Sequence, residues 1–556
     1  MLLQTVIMTS NYVVFFLLLT VIPQSFCLNA LFISAGAAGH VTPMFELAKA
    51  MKNHNITFVT NPLAQGYVDL NSYASSSFRI IYANDSSDAF LKEKTHEQQL
   101  LLIVANHSML EGFPKVVPLL GEIIMSLLNK TIYILTHERF DVIIAGKMIF
   151  GVSLLCEKIQ TPCVLQGPTS LPHIFDFNLP NPFSSLTSKE MTQLQYRIYN
   201  VAFTMRVIMK LVSRLTPPLY TLFHSLPRIP GPFYDSFTLK NLLFSKSKPL
   251  NLISTPPSFY TPSYSHPYKK YLGAFVDETP VDDTNDVLTT WIKSKPLNSI
   301  LYGAFGSTSV ILYDRMYNLI NGLAMLLLQT DDSFLLLAFR STNYDTYKTV
   351  LKNLDNVEFR EVLENEKRVR IENGYVQQKW ILQQNSVKVF LSHCGMGSCL
   401  EALYFSKPIL CMPFNMEQFS NAIMIENLGV GQSLFMPPSL LQSLIHPYDF
   451  VKYTFTARSV TNKILALWMN ITFEKAARLM SMEIKYAGGV KRAVEEIEFF
   501  VNLDGDLDRF APFQDTLSFY QRYMLDLLLI FVILPAIIII YIILKCCKRQ
   551  RKMKTD

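Results

Sequence analysis

Charged residues are scarce in this sequence, and outside one short segment their signs nearly cancel. Only 17% of the 556 residues are Asp, Glu, Lys or Arg, and the formal net charge is +6. Residues 545–556 hold six Lys or Arg and one Asp, so they contribute +5 (6 − 1) and leave +1 (6 − 5) for the rest. A nucleic-acid partner is therefore not predicted, because such binding needs a concentrated positive surface.

Cysteine is also sparse, so a dense disulfide framework is excluded, and no two cysteines have the spacing of a zinc site. Three of the eight lie at chain ends that are discussed below, which leaves Cys156, Cys163, Cys394, Cys399 and Cys411. An odd number in an oxidising compartment predicts at least one buried free thiol. Cys394 and Cys399 adjoin turn residues, and we expect them to pack as small side chains.

The N-terminal segment, residues 1–27, has the pattern of a secretory signal peptide. An apolar run from Tyr12 to Ile22 precedes Pro23 and the small residues Ser25 and Cys27. The segment lacks Lys and Arg, so an uncleaved anchor is the alternative. Five Asn-x-Ser/Thr acceptors suit a lumenal glycoprotein: Asn55, Asn84, Asn106, Asn129 and Asn470.

The C-terminal segment predicts a single membrane span over residues 523–544. No residue from Leu527 to Leu544 is charged, and the run meets the roughly 17–25 residues that a spanning helix needs. The basic tail 545–556 then predicts a cytosolic C-terminus. Lys552 and Lys554 resemble a dilysine retrieval signal, for which a plain stop-transfer cluster is the alternative. We expect a single-pass type I protein of the endoplasmic reticulum membrane with a lumenal body.

Between these ends, apolar strands and amphipathic helices alternate in two series, which predicts two doubly wound α/β domains. The predicted N-terminal domain spans residues 28–275, an acidic link spans 276–290, and the C-terminal domain spans 291–500. Within the first domain, residues 170–267 are rich in Pro and aromatics and are expected to form loops and short helices. Two such domains predict a ligand in the cleft between them.

The segment from Phe390 to Ala422 predicts an anion site in the second domain. A buried strand ends at His393, and a glycine turn through Gly395 leads to a helix that starts near Ser398. Unpaired N–H groups and the helix dipole converge at such a turn and favour a phosphate. Glu401 lies one helical turn after Ser398, where it could accept hydrogen bonds from ribose hydroxyls.

The next strand of this segment ends near a carboxylate and an amide that suit the hydroxyls of a sugar, namely Glu417 and Gln418. Together with the anion site they predict a nucleotide-sugar site. No metal is predicted, because the helix dipole and His393 can replace a divalent ion and no Asp-x-Asp pair lies where one would be held.

These residues resemble the signature of the UDP-glycosyltransferases, family 1 of the GT-B enzymes. The whole chain is similar to membrane-anchored UDP-glucuronosyltransferases in its order of segments. The resemblance implies a GT-B fold of two Rossmann-like domains, a UDP-sugar co-substrate without another cofactor, and inverting transfer. It further implies that Trp380 stacks on uracil, that Gln383 bonds near the base, and that Ser307, in the loop GAFGSTS, contacts the phosphates.

Two departures from the family pattern affect the donor site. Gly397 stands where the family usually has Asn, so one phosphate contact is missing or comes from the backbone. Glu417 replaces the usual Asp and keeps its charge. We expect donor binding to survive both changes.

The catalytic base is predicted to be His40, in the loop GAAGHVTP after the first strand. The family usually orients this His with an Asp at the end of a strand that here ends in Gly146. Asp141 lies at the opposite end of that strand, roughly 16 Å away, and Lys147 has the wrong charge. Three alternatives stay open: another acid such as Glu111 or Asp176 replaces it, the enzyme is slow or uses acidic acceptors such as phenols, or transfer has been lost.

The main hypothesis is therefore a UDP-glycosyltransferase that moves glucose or glucuronate to a hydroxyl of a lipophilic small molecule. The second is a catalytically impaired homologue that binds nucleotide sugar and regulates. The third is a GT-B subunit that glycosylates lipid or protein at the membrane. The sequence leaves open the acceptor, the donor sugar and whether the chain forms a homo-oligomer.

Overall fold

The computed structural model describes residues 27–552 except 85, 87, 107–108, 150, 169–176, 178, 182–183, 185, 187–188, 226–247, 260–265, 277–285, 307–308, 375, 415–416 and 446–452. The chain divides into two compact units, of which the first comprises Met1–Ser263 and Lys269–Gly505. The second comprises Tyr264–Tyr268 and Asp506–Asp556. The predicted signal peptide, apart from Cys27, lies outside the described residues.

The first half of the large unit is built on a parallel sheet of seven strands. Their bounds are β1 Asn29–Ser34, β2 Asn55–Thr60, β3 Phe78–Tyr82, β4 Val142–Gly146, β5 Cys163–Gly167, β6 Leu250–Ile253 and β7 Lys269–Tyr271. They are ordered β3-β2-β1-β4-β5-β6-β7. The helices of this half are α1 Ala38–Ala50, α2 Ala89–Asn106, α3 Met109–His137, α4 Val152–Ile159 and α5 Leu194–Ser225.

Two expectations for this half are corrected. Residues 170–267 contain the 32-residue helix α5 and strand β6, whereas only loops and short helices were expected. The run from Leu194 to Val212 lacks Pro and Gly and supports a long helix, but the nearby prolines and aromatics obscured it. The loop predicted to carry His40 is also shorter than expected, because α1 begins at Ala38.

The second half contains a parallel sheet of six strands in the order β10-β9-β8-β11-β12-β13. The strands are β8 Ile300–Ala304, β9 Phe334–Phe339, β10 Val369–Asn373, β11 Val387–Ser392, β12 Ile409–Cys411 and β13 Gly431–Ser433. Its helices are α6 Val287–Lys293, α7 Tyr313–Gln329, α8 Ser341–Lys352, α9 Val357–Glu364, α10 Gln378–Gln383, α11 Met396–Tyr404, α12 Glu417–Asn427, α13 Leu440–Ile445, α14 Ala457–Met469, α15 Ile471–Tyr486 and α16 Gly489–Asn502. Two buried apolar clusters pack against this sheet.

Each sheet has a switch point, where neighbouring strands are followed by connections that run in opposite directions. In the first sheet it lies between β1 and β4, and in the second between β8 and β11. Ligands of doubly wound proteins bind beside the carboxyl ends of strands at such points. His40 and Gly146 lie at the first switch point, and His393 lies at the second.

The last helix of the large unit, α16, returns to the first half and packs against α1. Glu498 lies 3.0 Å from His54 Nε2, and Glu496 lies 3.0 Å from Lys270 Nζ. These contacts join the end of the second half to the sheet of the first. Helix α16 therefore links the C-terminal part of the large unit back to its first half.

Two disulfides link Cys156 to Cys163 and Cys394 to Cys411. Cys399 is a free thiol and is buried, which confirms the prediction of at least one such residue. Cys394 does not pack as an isolated small residue, as was expected, since it is bonded to the end of β12.

The small unit contains α17 Phe513–Thr516, α18 Phe519–Arg522, α19 Leu525–Leu528, a π-helical segment Leu529–Ile533 and α20 Leu534–Lys552. The helical segment Leu525–Lys545 of this unit has a mean hydropathy of 3.4 and is not buried. It is therefore long and apolar enough to cross a membrane. Pro118–His137 in α3 also meets that length and composition. It is 44% buried, and its Leu127 and Leu128 belong to the core of the first half.

We predict that Gly322→Ala lowers the stability of the protein. A Cβ at this buried position of α7 would lie 2.6 Å from the Ala457 carbonyl oxygen and 2.6 Å from Val460 Cβ, both on α14. Because backbone must shift, the overpacking should cost about 1–3 kcal/mol. The measurement is the urea midpoint of the full chain. Gly66→Ala is the control, because the nearest neighbour of its Cβ would be Phe90 at an ordinary distance of 3.8 Å. An unchanged urea midpoint for Gly322→Ala would contradict the packing argument.

Candidate functional site

The His393 side chain lies between two glycines at the second switch point. A Cβ on Gly306, which has a φ of +67°, would come within 2.6 Å of the ring, and a Cβ on Gly395 would come within 2.5 Å of Nε2. The ring is 7% exposed, and its Nδ1 has no hydrogen-bond partner among the described residues. Burial lowers the pKa of His393 to about 4, so the imidazole is neutral at physiological pH. It can therefore offer a neutral N–H to a phosphate, but it does not supply a positive charge.

Helix α11 begins at Met396, directly after this turn, so its first backbone N–H groups point toward the place where a phosphate is expected. Gly397 is exposed, and a Cβ there would meet nothing within 4 Å. The described residues therefore leave open space at the position that Asn usually occupies in the family.

Gln378, at the start of α10, connects two predicted donor residues. Its Nε2 donates to Ser398 Oγ at 3.2 Å and to Glu401 Oε2 at 2.7 Å. Burial raises the pKa of Glu401, while the Gln378 hydrogen bond and the charge of Lys379 act in the opposite direction. Sequence analysis missed Gln378; the signal was the amide pair that precedes Trp380.

Trp380 and Gln383, the residues predicted to contact the base, lie at different depths on α10. Trp380 is 6% exposed and belongs to a core cluster of the second half, and its stacking on a base stays a prediction. Gln383 is exposed at the other end of α10, whereas Gln378 makes the contacts with Ser398 and Glu401. The period of α10 turns Trp380 inward, and this could not be read from the motif.

Glu417 and Gln418 are the first two residues of α12. The prediction that they lie at the end of a strand is wrong. Gln418 is buried, and its Oε1 accepts from the Phe414 backbone N–H at 2.9 Å, so it fixes the loop before the helix. Glu417 is exposed, and its charge contributes to the raised pKa of the buried Cys399 thiol on α11. The two residues thus lie at the start of α12, beside α11. Ser307 lies outside the described residues.

His40 is half-buried in the first turn of α1. Burial lowers its pKa, and no carboxylate of the described residues contributes to the shift. The neutral imidazole can act as a base. Asp176 and the side chain of Glu111, the two acids considered as partners, lie outside the described part of the chain.

Gly146, which stands where the family usually has an Asp, is buried at the end of β4. A Cβ there would have only the Ile33 carbonyl oxygen, at 4.0 Å, within 4 Å. The end of β4 therefore adjoins β1, and the described residues leave room for a larger side chain at this position.

Helix α1 is close to the donor turn of the second half. The charge of Glu46, which lies on α1 six residues after His40, contributes to the raised pKa of Glu401 on α11. A second contact joins the halves, because the Arg340 guanidinium lies 5.4 Å from the centroid of the Tyr67 ring. The helix of the predicted base thus approaches the predicted nucleotide site.

In the described part of the chain, no group of three or more His, Cys, Asp or Glu is arranged to hold a metal ion.

Comparison with known proteins identifies the second half. Residues 349–444 match the family described as UDP-glucoronosyl and UDP-glucosyl transferase. A flavanone 7-O-glucoside 2''-O-beta-L-rhamnosyltransferase of Citrus maxima is 31% identical over 160 residues, which are 29% of this chain and 34% of that protein. UDP-glycosyltransferase 92A1 of Arabidopsis thaliana is 33% identical over 154 residues, which are 27% of this chain and 30% of that protein. The chain thus spans about a third of the length of the curated relatives it matches.

Solved structures extend the likeness to both halves. The structure of Os79 from O. sativa, in complex with U2F and trichothecene, aligns with a TM-score of 0.56 at 15% identity over 85% of this chain and 100% of that one. Arabidopsis thaliana UGT89C1, complexed with UDP-L-rhamnose, aligns with a TM-score of 0.55 at 14% identity over 87% of this chain and 100% of that one. At these identities the likeness concerns the fold.

The two doubly wound halves define a GT-B fold. Residues 349–444, within the second half, match the UDP-glycosyltransferase family, and the curated proteins that are similar to this chain are UDP-glycosyltransferases and related sugar transferases.

We predict that Gly395→Ala weakens UDP binding by about tenfold or more, because the added Cβ would displace the His393 ring from its place beside the phosphate site. The matched control is Gly397→Ala on the same turn, where the methyl group meets no neighbour. Titration calorimetry of the full chain with UDP measures both variants. Equal affinities for the two would contradict the assigned role of the His393 ring.

Proposed function

We propose that this protein transfers a hexose, glucose or glucuronate, from a UDP-sugar to a hydroxyl of a lipophilic small molecule, with inversion at the anomeric carbon. The observation that carries the proposal is the donor turn, where His393 lies between Gly306 and Gly395 and Gln378 donates hydrogen bonds to Ser398 and Glu401. His40 lies at the switch point of the other sheet, and burial keeps its imidazole neutral. The relatives named above include a rhamnosyltransferase and a structure with a trichothecene, which supports transfer to small molecules.

In the proposed reaction, the acceptor oxygen attacks the anomeric carbon as the bond to the UDP oxygen breaks. His40 accepts the acceptor proton at a ring nitrogen, and its lowered pKa keeps it neutral for this task. The N–H groups at the start of α11 stabilise the charge that develops on the departing diphosphate. Glu401, held by Gln378, accepts from the ribose, and Glu417 contacts the transferred sugar.

The apolar helix Leu525–Lys545 supports a membrane-anchored form of this enzyme. We propose a lumenal body in the endoplasmic reticulum, with the basic tail in the cytosol. Such a location would supply lipophilic acceptors that partition into the bilayer.

A second candidate, a catalytically impaired homologue that binds UDP-sugar and regulates, is favoured by Gly146. Without a carboxylate beside His40, the imidazolium that forms during transfer is less stabilised.

We predict that His40→Ala abolishes transfer while UDP binding is unchanged. Loss of a positioned base should lower kcat by about a hundredfold or more. The assay is UDP release by the full chain with UDP-glucose or UDP-glucuronate and a panel of phenols and sterols. Turnover that survives in His40→Ala would contradict the assigned base, and UDP binding without turnover in the unaltered chain would favour the regulatory candidate.

We predict that Gly146→Asp increases kcat/KM by about tenfold, because a carboxylate beside His40 stabilises its charged form. Transfer requires neutral His40, so activity falls as pH falls through its pKa, which burial places below 6.5. The carboxylate raises that pKa, and the acid limb of the pH profile should move to higher pH. Gly146→Asn controls for side-chain volume; an equal gain in Gly146→Asn, or an unmoved acid limb, would argue against a charge effect.

A further inference from the structure

One of the five Asn-x-Ser/Thr sequences lies at the junction of two helices in the second half. Helix α14 ends at Met469 and α15 begins at Ile471, so Asn470 is the residue between them. Its backbone N–H donates to the Ala466 carbonyl at 3.0 Å, which fixes the residue to the end of α14. The proposed transfer assigns this surface no role.

The two polar residues of this acceptor sequence, Asn470 and Thr472, are both exposed. Asn470 Oδ1 accepts hydrogen bonds from the Thr472 backbone N–H at 3.0 Å and from Thr472 Oγ1 at 2.8 Å. This turn places the carboxamide and the hydroxyl side by side at the surface. The Asn470 Nδ2 group, to which a glycan would be attached, makes no hydrogen bond to a described residue.

Two other acceptor sequences are less accessible in the fold. Asn55 begins β2 and its Nδ2 donates to a side chain of β1 at 3.0 Å, while Thr57, the hydroxyl residue of its sequence, is buried. Asn129 is exposed on α3, but Thr131 is fully buried. Two sequences include residues outside the described part of the chain, namely those of Asn84 and Asn106. Of the acceptor sequences that are described in full, that of Asn470 therefore combines an exposed amide with an exposed hydroxyl.

Apolar side chains that face solvent flank this acceptor. Met469 is 75% exposed and Ile471 is 60% exposed. Three further apolar side chains of α15 are exposed, namely Leu479, Met482 and Tyr486. The period of the helix puts them on one face together with Ile471. Exposed apolar surface promotes association between chains, and a bulky, hydrophilic glycan beside it would oppose that association.

We propose that Asn470 is an N-glycosylation site and that its glycan covers the start of the apolar face of α15. The proposal goes beyond sugar transfer to small molecules and rests on the lumenal location proposed above. In the attachment step, Asn470 Nδ2 forms a bond to the anomeric carbon of an oligosaccharide carried by a lipid diphosphate. The bond from that carbon to the diphosphate oxygen breaks, the lipid diphosphate leaves, and one amide proton passes to a base of the glycosylating enzyme.

The test detects a glycan on the full chain made in eukaryotic cells. Peptide N-glycosidase releases N-glycans and converts the attachment Asn to Asp, which mass spectrometry detects in the peptide that contains Asn470. We expect this conversion, together with faster migration of the chain in electrophoresis after the treatment. An unconverted Asn470 in chains that carry glycans at other acceptor sequences overturns the proposal.

Four variants separate the acceptor sequence from the helix junction. Asn470→Gln removes both the acceptor and the N-cap of α15, whereas Thr472→Ala removes the hydroxyl and keeps the Asn470 cap. Both should lose the glycan, and a glycan that persists in Thr472→Ala contradicts the proposal. Thr472→Ser keeps a hydroxyl and should keep the glycan. Asn462→Gln, at an exposed position of α14 outside any acceptor sequence, is the matched control and should keep it too.

The covering role of the glycan has a readout of its own. Thr472→Ala should self-associate more than Thr472→Ser in the same detergent, as measured by sedimentation. Adding Leu479→Gln to Thr472→Ala should reverse that difference, because it removes an exposed apolar side chain of α15. Equal association of Thr472→Ala and Thr472→Ser would overturn the covering role.

Two further measurements separate this proposal from those on which it rests. Resistance of the large unit to protease in sealed microsomes reports its lumenal location independently of any glycan. A protected chain without a glycan on Asn470 overturns the site alone, whereas a digested chain overturns the location and the site together. UDP binding and UDP release by the same preparation test the proposed function, whose failure is therefore distinguishable from that of the glycan site.

Discussion

Burial of ionisable groups at the carboxyl ends of parallel strands is the constraint on which this site depends. It lowers the pKa of His40, His393 and Lys147, and it raises the pKa of Glu401. Each shift favours the neutral form of its group. Both imidazoles are therefore uncharged. A diphosphate would be bound by the dipoles of N–H groups, which carry no net charge. The same lack of charge leaves His40 free to accept a proton.

Glycines set the geometry within which that burial operates. Gly306 and Gly395 leave space for the His393 ring, and Gly167 leaves space for the Lys147 stem. In each case the missing Cβ lets a long polar side chain lie flat against a strand end. Gly146 differs, because a Cβ there meets no close neighbour among the described residues. Packing of the described residues therefore does not explain why this position lacks a side chain.

The sequence predicted those elements that depend on the local pattern of apolar and turn residues. Buried runs such as Asn29–Ser34 and Val387–Ser392 became central strands, and the turn after β11 became the start of a helix. It failed where a side chain's direction depends on three-dimensional packing. Trp380 has the expected residue type, but the period of α10 turns it into the core, while Gln378 on the same helix faces Ser398 and Glu401. The electrostatic effect of Glu46 on Glu401 could not be predicted either, because the halves meet only in the folded chain.

The residue at the end of β4 bears on which acceptors His40 could activate. A glycine stands where the family usually has a carboxylate that would stabilise an imidazolium at His40, which weakens the base toward alcohols of high pKa. An acidic phenol needs less help from a base, because it loses its proton more readily. The absence of the usual acid is therefore consistent with transfer to acidic acceptors and does not require that transfer has been lost.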